Sequence, residues 1–271
     1  MNKKWVVAIT ALVIFGSVAF SEAQETIRYN GSSTILKAIM TQAATAFEAQ
    51  EGVKFDLKGK NTGFGIKKLL ADECDIAGGG RPLKEDEKKK GLVATKLFLD
   101  TGAFIVHQSN PITKLDSTQI TDILKGSLSQ WGDVGGPEGK KIIIIAPPAN
   151  TMHYKTMRKV VGFDALPKNS MTVDVPPTVY KKVKSFPVSV GWLSYANVAN
   201  KKGIKILDIV FDGEAVTINQ ANVSSGKYPY QQTMFFYTKG APEGNVKKFI
   251  EFMQSKSGGA IITEAGFFLI Q

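Results

Sequence analysis

Between Ile27 and Leu70 the spacing of apolar residues keeps switching period, and that alternation leaves few folds open to the chain. Ile27 and Tyr29 alternate with polar neighbours, as in a half-buried strand. Ile35, Ile39, Ala43 and Phe47 then recur every four positions, which puts them on one stripe of a helix. Val53, Phe55 and Leu57 return to the strand period, and Ile66, Leu69 and Leu70 open the next helix. This strand–helix order is the pattern of an α/β fold. Downstream, Phe98 to Val106 reads as a longer extended stretch broken at Gly102. Asp116-Ser117-Thr118-Gln119 fits a capping box ahead of Ile120, Ile123 and Leu124, with Gly126 ending that helix. Ile142 to Ile145 is a continuous apolar run, as expected of a fully buried strand. A helical segment follows Pro147-Pro148, Val188 to Leu193 reads as a strand, and helices near 246–253 and 259–265 finish the chain.

The single cysteine, Cys74, excludes an intramolecular disulfide, so the core must be held by apolar packing. Its apolar neighbours make it a buried small hydrophobe rather than a reactive thiol. Residues 1–23 read as a cleavable signal peptide: Lys3 and Lys4 give the positive start, Trp5 to Phe20 is mostly apolar, and Ser21-Glu22-Ala23 precedes a cut before Gln24. The apolar stretch is short for a membrane span of roughly 20 residues, and no cysteine stands near the cut to carry a lipid. The expected location is therefore the periplasm. Without Lys3, Lys4 and Glu22 the chain keeps 32 basic and 23 acidic residues, a balance that steers anions toward it. The lysines are scattered, and the densest run, Lys84 to Lys90, alternates with Glu85, Asp86 and Glu87 as on a solvated helix face. Nucleic acid is not an expected partner.

Two hydroxyl-and-glycine loops each open a helix, Gly31-Ser32-Ser33-Thr34 and Asn61-Thr62-Gly63-Phe64-Gly65. The first turn of a helix carries N–H groups without intrahelical acceptors and a partial positive charge, so it can hold an anion without a cationic side chain. Serine and threonine also cap helices that bind nothing. A third segment, Asp75-Ile76-Ala77-Gly78-Gly79-Gly80-Arg81-Pro82-Leu83, leaves a strand end bare beside an arginine. Arg81 can grip an oxyanion bidentately or pair with a local acid such as Glu85 or Asp86. His107 and His153 are the only histidines, too few for a histidine-based metal cluster, and no nucleophile elbow or His-Glu-x-x-His helix is present. The sequence therefore points away from an enzyme and calls for no metal and no cofactor.

These segments, taken in order, resemble the phosphate-binding proteins of bacterial ABC transporters, members of the type 2 periplasmic binding superfamily. The resemblance runs from the Gly-Ser-Ser-Thr loop through Gly63–Ile66, the Asp-Ile-Ala…Arg-Pro-Leu segment and Asn110-Pro111-Ile112. It continues through Gln119–Gly126, Trp131–Gly136, Val190-Gly191-Trp192 and Gly226-Lys227-Tyr228-Pro229-Tyr230. It implies two α/β domains around a hinge, closing on phosphate or a similar tetrahedral oxyanion in an interdomain cleft. A membrane permease partner and a monomeric carrier are implied with it. Ser33, Thr34 and the N–H of Ile35 match the first phosphate loop. Thr62, with Gly63 beside it, matches the second. Arg81 falls where some members have an aspartate that accepts the phosphate proton and others an arginine.

One family element is missing. Where the second domain of the family carries an arginine four residues before Ser-Gly-Thr, this chain reads Ala146-Pro147-Pro148-Ala149-Asn150-Thr151-Met152-His153. Asn150 and Thr151 remain as hydrogen-bond donors there, and His153 as a charge at mildly acid pH. The expected division places residues 24–104 with 199–271 in domain I and 105–198 in domain II. Two alternatives stay open: the same fold with a changed ligand, another anion or a small organic acid, and a non-transport sensor or adhesion role.

Overall fold

The structure, a computed structural model, describes residues 26–270; the signal-peptide reading of residues 1–23 lies outside them. The chain opens with strand β1 (Thr26–Ser32), helix α1 (Ser33–Ile35), a π-helical turn at Leu36–Met40 and helix α2 (Thr41–Glu51). β2 (Lys54–Lys60), α3 (Thr62–Leu70), β3 (Ile76–Gly79), α4 (Glu85–Lys89) and the long β4 (Leu92–His107) follow. Then come β5 (Lys114–Asp116), α5 (Ser117–Lys125), β6 (Ile143–Ala146), α6 (Met152–Val161), β7 (Ser170–Thr172), α7 (Pro177–Ser185) and β8 (Ser189–Ser194). The last part holds β9 (Ile204–Ile206), β10 (Asp208–Phe211), β11 (Glu214–Val216), α8 (Gln220–Ser224), β12 (Gln231–Lys239), α9 (Gly244–Gln254) and α10 (Lys256–Glu264).

The strands order as β2-β1-β3-β12-β4-β8-β6-β7, with β9 also on β4, and β11-β10-β5 form a separate small sheet. β4 is the hinge of this arrangement. Its first part, Leu92 to Thr101, pairs antiparallel with β12, and its second, Gly102 to Val106, pairs antiparallel with β8. The strand therefore does not break at Gly102, contrary to the sequence expectation. The Gly102 N–H donates to the Tyr230 carbonyl at 2.7 Å and its carbonyl accepts from the Tyr228 hydroxyl at 2.9 Å, so the chain stays extended where neighbouring strands change.

Two apolar clusters sit on either side of that point. One gathers Ile27, Ile35, Ile39, Ala43, Phe47, Phe98 and Phe249, and so includes the whole stripe expected on the first helix. The other gathers Phe104, Ile144, Ile145, Val179, Trp192 and also Ile209, Val223 and Tyr228. Ile209, Val223 and Tyr228, which follow residue 199, thus pack in the same cluster as Phe104 and Trp192. β9 pairs with Ile105 to His107 and β10 with β5, which holds this segment in the second lobe. We therefore assign 102–230 to the second lobe. The capping box reads as expected: the Gln119 N–H donates to Asp116 Oδ1 at 2.7 Å and the Asp116 N–H to Gln119 Oε1 at 2.9 Å. Gly126 closes the helix at φ +86°. Cys74 is buried, and burial pushes its thiol up to about 11.

Candidate functional site

The two loops singled out in the sequence end adjacent parallel strands. Ser32 caps α1, its Oγ accepting from the N–H groups of Thr34 at 3.2 Å and Ile35 at 3.5 Å. The Ser33 hydroxyl donates to the Lys60 carbonyl at 3.0 Å, tying the start of α1 to the end of β2. Thr34 is exposed at the mouth of this loop. Asn61 caps α3, its Oδ1 accepting from the Phe64 N–H at 2.9 Å. Thr62 is the first residue of that helix and lies against the β3 end: a Cβ on Gly79 would stand 2.5 Å from Thr62 Oγ1. Gly65 rather than Gly63 makes the close approach in this loop, since a Cβ there would stand 2.6 Å from the Asn30 carbonyl oxygen and 2.8 Å from Gly31 Cα.

The second lobe meets this surface through the start of α6. A Cβ on Gly80 would lie 3.8 Å from Met152 Cγ, so the first residue of α6 stands over the bare β3 end. Thr151 is the cap, its hydroxyl donating to the Pro148 carbonyl at 2.6 Å and accepting from the Tyr154 N–H at 3.4 Å. Asn150 precedes it and is exposed. The start of α6 thus lies near the end of β3, beside which α3 starts, and α1 starts at the end of the adjacent β1. The first-turn N–H groups of Thr62, Gly63, Met152 and His153 have no acceptor within their helices. Each helix start adds about half a positive charge.

Arg81 is turned away from that role by its own partner. Its NH1 and NH2 donate to the two Glu87 oxygens at 2.8 and 2.6 Å, and NH1 also donates to the Pro82 carbonyl at 2.9 Å. The acid is Glu87, not the Glu85 or Asp86 named from sequence. The pair raises Arg81 above its ordinary value and holds Glu87 below the usual carboxylate range. The Arg81 carbonyl accepts from the Tyr237 hydroxyl at 2.5 Å, so the residue is fastened at both ends.

Sequence reasoning missed a buried polar cluster at the hinge. Asp100, 2 % exposed, lies on β4 just before the strand changes neighbours. His153 Nε2 is 2.9 Å from its Oδ2, the Ser194 hydroxyl donates to Oδ1 at 2.7 Å, and Gln232 Nε2 donates to Oδ2 at 3.2 Å. Burial alone would raise the Asp100 carboxyl, but the adjacent His153 and the hydrogen bonds outweigh it and hold it below its ordinary value. The available signal was a carboxylate inside the apolar run Phe98 to Val106. His107 lies elsewhere, its Nδ1 2.7 Å from the Ser109 hydroxyl. Among the described residues no group of three or more His, Cys, Asp and Glu could hold a metal, and no helix is long and apolar enough to cross a membrane.

Known proteins share this architecture. The chain is 25% identical over 249 residues to a phosphate-binding protein PstS of Borreliella burgdorferi, covering 88% of each chain. It is 23% identical over 251 residues to a phosphate-binding protein PstS of Bacillus subtilis, covering 91% of this chain and 81% of that one. It superposes with a TM-score of 0.75, at 24% identity, on a candidate phosphate ABC transporter substrate-binding protein with bound phosphate from Clostridium perfringens, covering 91% of this chain and 100% of that chain. A family model described as the PBP superfamily domain matches residues 18–257, and with that match over most of its length the chain belongs to the PBP superfamily.

Proposed function

We propose that the protein captures phosphate, or a similar tetrahedral oxyanion, in the cleft between its lobes and delivers it to the membrane permease of an ABC transporter. The reading is supported by three capped helix starts: those at Ser32 and Asn61 follow adjacent parallel strands, and that at Thr151 precedes Met152, which lies near Gly80. Three helix starts supply roughly one and a half positive charges, close to what a phosphate mono- or dianion needs. Relatives named for phosphate binding, and a superposable protein with phosphate bound, favour phosphate over other anions. The step is capture: the Thr34 and Thr62 hydroxyls, the Asn150 amide and the Gly63 N–H replace part of the anion's water, while Ser33, Ile35 and Thr151, already bonded within the chain, hold the helix starts in place. Closure then buries it, with no covalent chemistry. Arg81 serves by fixing the β3 end through Glu87.

The reading places the mature protein outside the cytoplasmic membrane, after removal of residues 1–23, acting as a monomer and without a nucleic-acid partner. The same geometry favours a weaker or altered anion preference as second reading. The two basic side chains nearest these loops in sequence, Arg81 and His153, each face a carboxylate, Glu87 and Asp100. The test is isothermal titration with phosphate of the ligand-stripped protein and of a Thr34→Ala, Thr62→Ala double variant. The expected result is saturable binding that weakens at least tenfold in the variant, about 1.4 kcal/mol. Equal affinity in the two proteins overturns the placement of the site.

A further inference from the structure

The net positive charge of this chain is not spread over it. Between residues 139 and 207 there are 12 basic and two acidic residues, whereas the rest of the chain carries 22 of each. The topology gathers these charges at one end of the molecule. β4 runs outward from the hinge, with Gly102 opposite Ser194 and Val106 opposite Val190, and β9 starts at Ile204 opposite His107. β6 is parallel to β8 and to β7, so all three begin at the pole of the second lobe farthest from the cleft. α6 starts at the cleft and, at 1.5 Å per residue, ends at that pole; α7 returns there to enter β8.

The cations occupy those starts and ends. Lys140 and Lys141 precede β6, Lys168 precedes β7, and Lys201 and Lys202 precede β9; all five are exposed. Arg158 and Lys159 end α6, and Lys182 and Lys184 end α7. The pieces touch: the Lys184 stem lies against Gly203, and the Tyr180 hydroxyl donates to the Lys202 carbonyl at 2.9 Å. Cations at helix C-termini offset the macrodipole, but this does not account for the five lysines that precede strands. Among the described residues only Arg158 of this set has an acidic partner, the exposed Asp164 at 3.8 Å. Asp133 and Glu138 stand on the neighbouring loop, too few to neutralise the pole. Two apolar side chains are exposed among the lysines, Val160 at 53 % and Phe186 at 38 %, with Lys182 Nζ 5.7 Å from the Phe186 ring.

We propose that this pole docks the protein on an anionic phospholipid bilayer. Its charge is almost all lysine, a point charge on a flexible stem, spread over several element ends without a bidentate fork. Such a surface suits a diffuse layer of anionic headgroups, to which each lysine adds independently. Val160 and Phe186 enter the headgroup boundary between the lysines. Because the pole lies opposite the cleft, docking leaves the mouth free to take up and release a ligand.

The test is co-sedimentation of the mature protein with vesicles of phosphatidylcholine alone and of phosphatidylcholine with phosphatidylglycerol, at low and physiological salt. The expected result is retention only by the anionic vesicles, falling as salt rises. A Lys182→Glu, Lys184→Glu, Lys202→Glu variant should partition on the order of a hundredfold less. A Lys88→Glu, Lys89→Glu, Lys90→Glu variant, with the same change in net charge on the first lobe, should keep most of its binding. No retention by anionic vesicles at low salt overturns the proposal and leaves the pole to an acidic protein. Equal loss in both variants also overturns it, since net charge alone would then explain binding. The salt dependence of the parent protein decides the matter if the pole variant does not fold.

Discussion

His153 and Asp100 form a buried contact across the hinge: Nε2 on the first turn of α6 is 2.9 Å from Oδ2 on β4, with the carboxylate 2 % exposed. The contact joins the helix whose start faces the cleft to the strand that both lobes share. Position and chemistry therefore meet in one pair. It also explains why a histidine near the missing arginine does not simply replace it, since its ring is already committed.

Removing His153 leaves Asp100 with only Ser194 and Gln232 as partners. A buried charge that loses its partner costs about 3–5 kcal/mol. Urea unfolding of His153→Ala at neutral pH should show a loss of that order with an unchanged m-value. A loss below about 1 kcal/mol would mean the pair is open to water.

The same carboxylate gives a pH dependence with a definite sign. The folded Asp100 value lies below its ordinary value, so its stabilisation is present above the unfolded aspartate value of about 3.9 and is lost as pH falls through the folded value. The Asp75 carboxyl, also held low, against burial, by Arg28, and Glu87, held low by Arg81, act in the same direction. Stability should hold down to about pH 5 and then fall. In His153→Ala the fall should begin at higher pH, because Asp100 is no longer held as low. A fall at the same pH in both proteins would contradict the assignment.

Arg81 is argued to hold the β3 end in place rather than to grip the ligand. Arg81→Ala should lower stability by about 1.5–3 kcal/mol, the range for charged hydrogen bonds, while phosphate affinity changes far less than in the Thr34→Ala, Thr62→Ala protein. A double-mutant cycle with Glu87→Gln measures the coupling. An Arg81→Ala protein of parental stability that no longer binds phosphate would return Arg81 to the ligand.

Gly79 is bare because Thr62 fills the space beside it. Gly79→Ala should displace Thr62, cost about 1–3 kcal/mol in stability through overpacking, and weaken anion binding. Gly65→Ala meets backbone, the Asn30 carbonyl and Gly31 Cα, and should be the more destabilising of the two in thermal unfolding. The reverse order would mean that α3 can shift away from β1.

Local signals were legible in the sequence. The stripe Ile35, Ile39, Ala43 and Phe47 is wholly buried, and the Asp116–Gln119 box and the Gly126 turn stand where spacing put them. What stayed hidden depends on long-range pairing. Nothing local says that β4 continues through Gly102, because the groups that hold it there, Tyr228 and Tyr230, come more than a hundred residues later. The long-range pairing of the segment after residue 199 was hidden for the same reason, since β9 and β10 are short and pair with the distant β4 and β5. In the site, both loop caps were readable, but Ser32 and Asn61 rather than their neighbours do the capping. The partners of Arg81 and His153 were not readable, because a side chain's preference between an acid and a ligand is a matter of which lies within reach.

The central claim is that three helix starts, without a free arginine, hold a tetrahedral oxyanion. The measurement that tests it most directly is isothermal titration of the ligand-stripped mature protein against phosphate, sulfate, arsenate, molybdate and tungstate. The account predicts saturable one-to-one binding of phosphate, tighter than binding of sulfate. No heat and no saturation with any of the five would contradict it, and the cleft would then belong to another ligand.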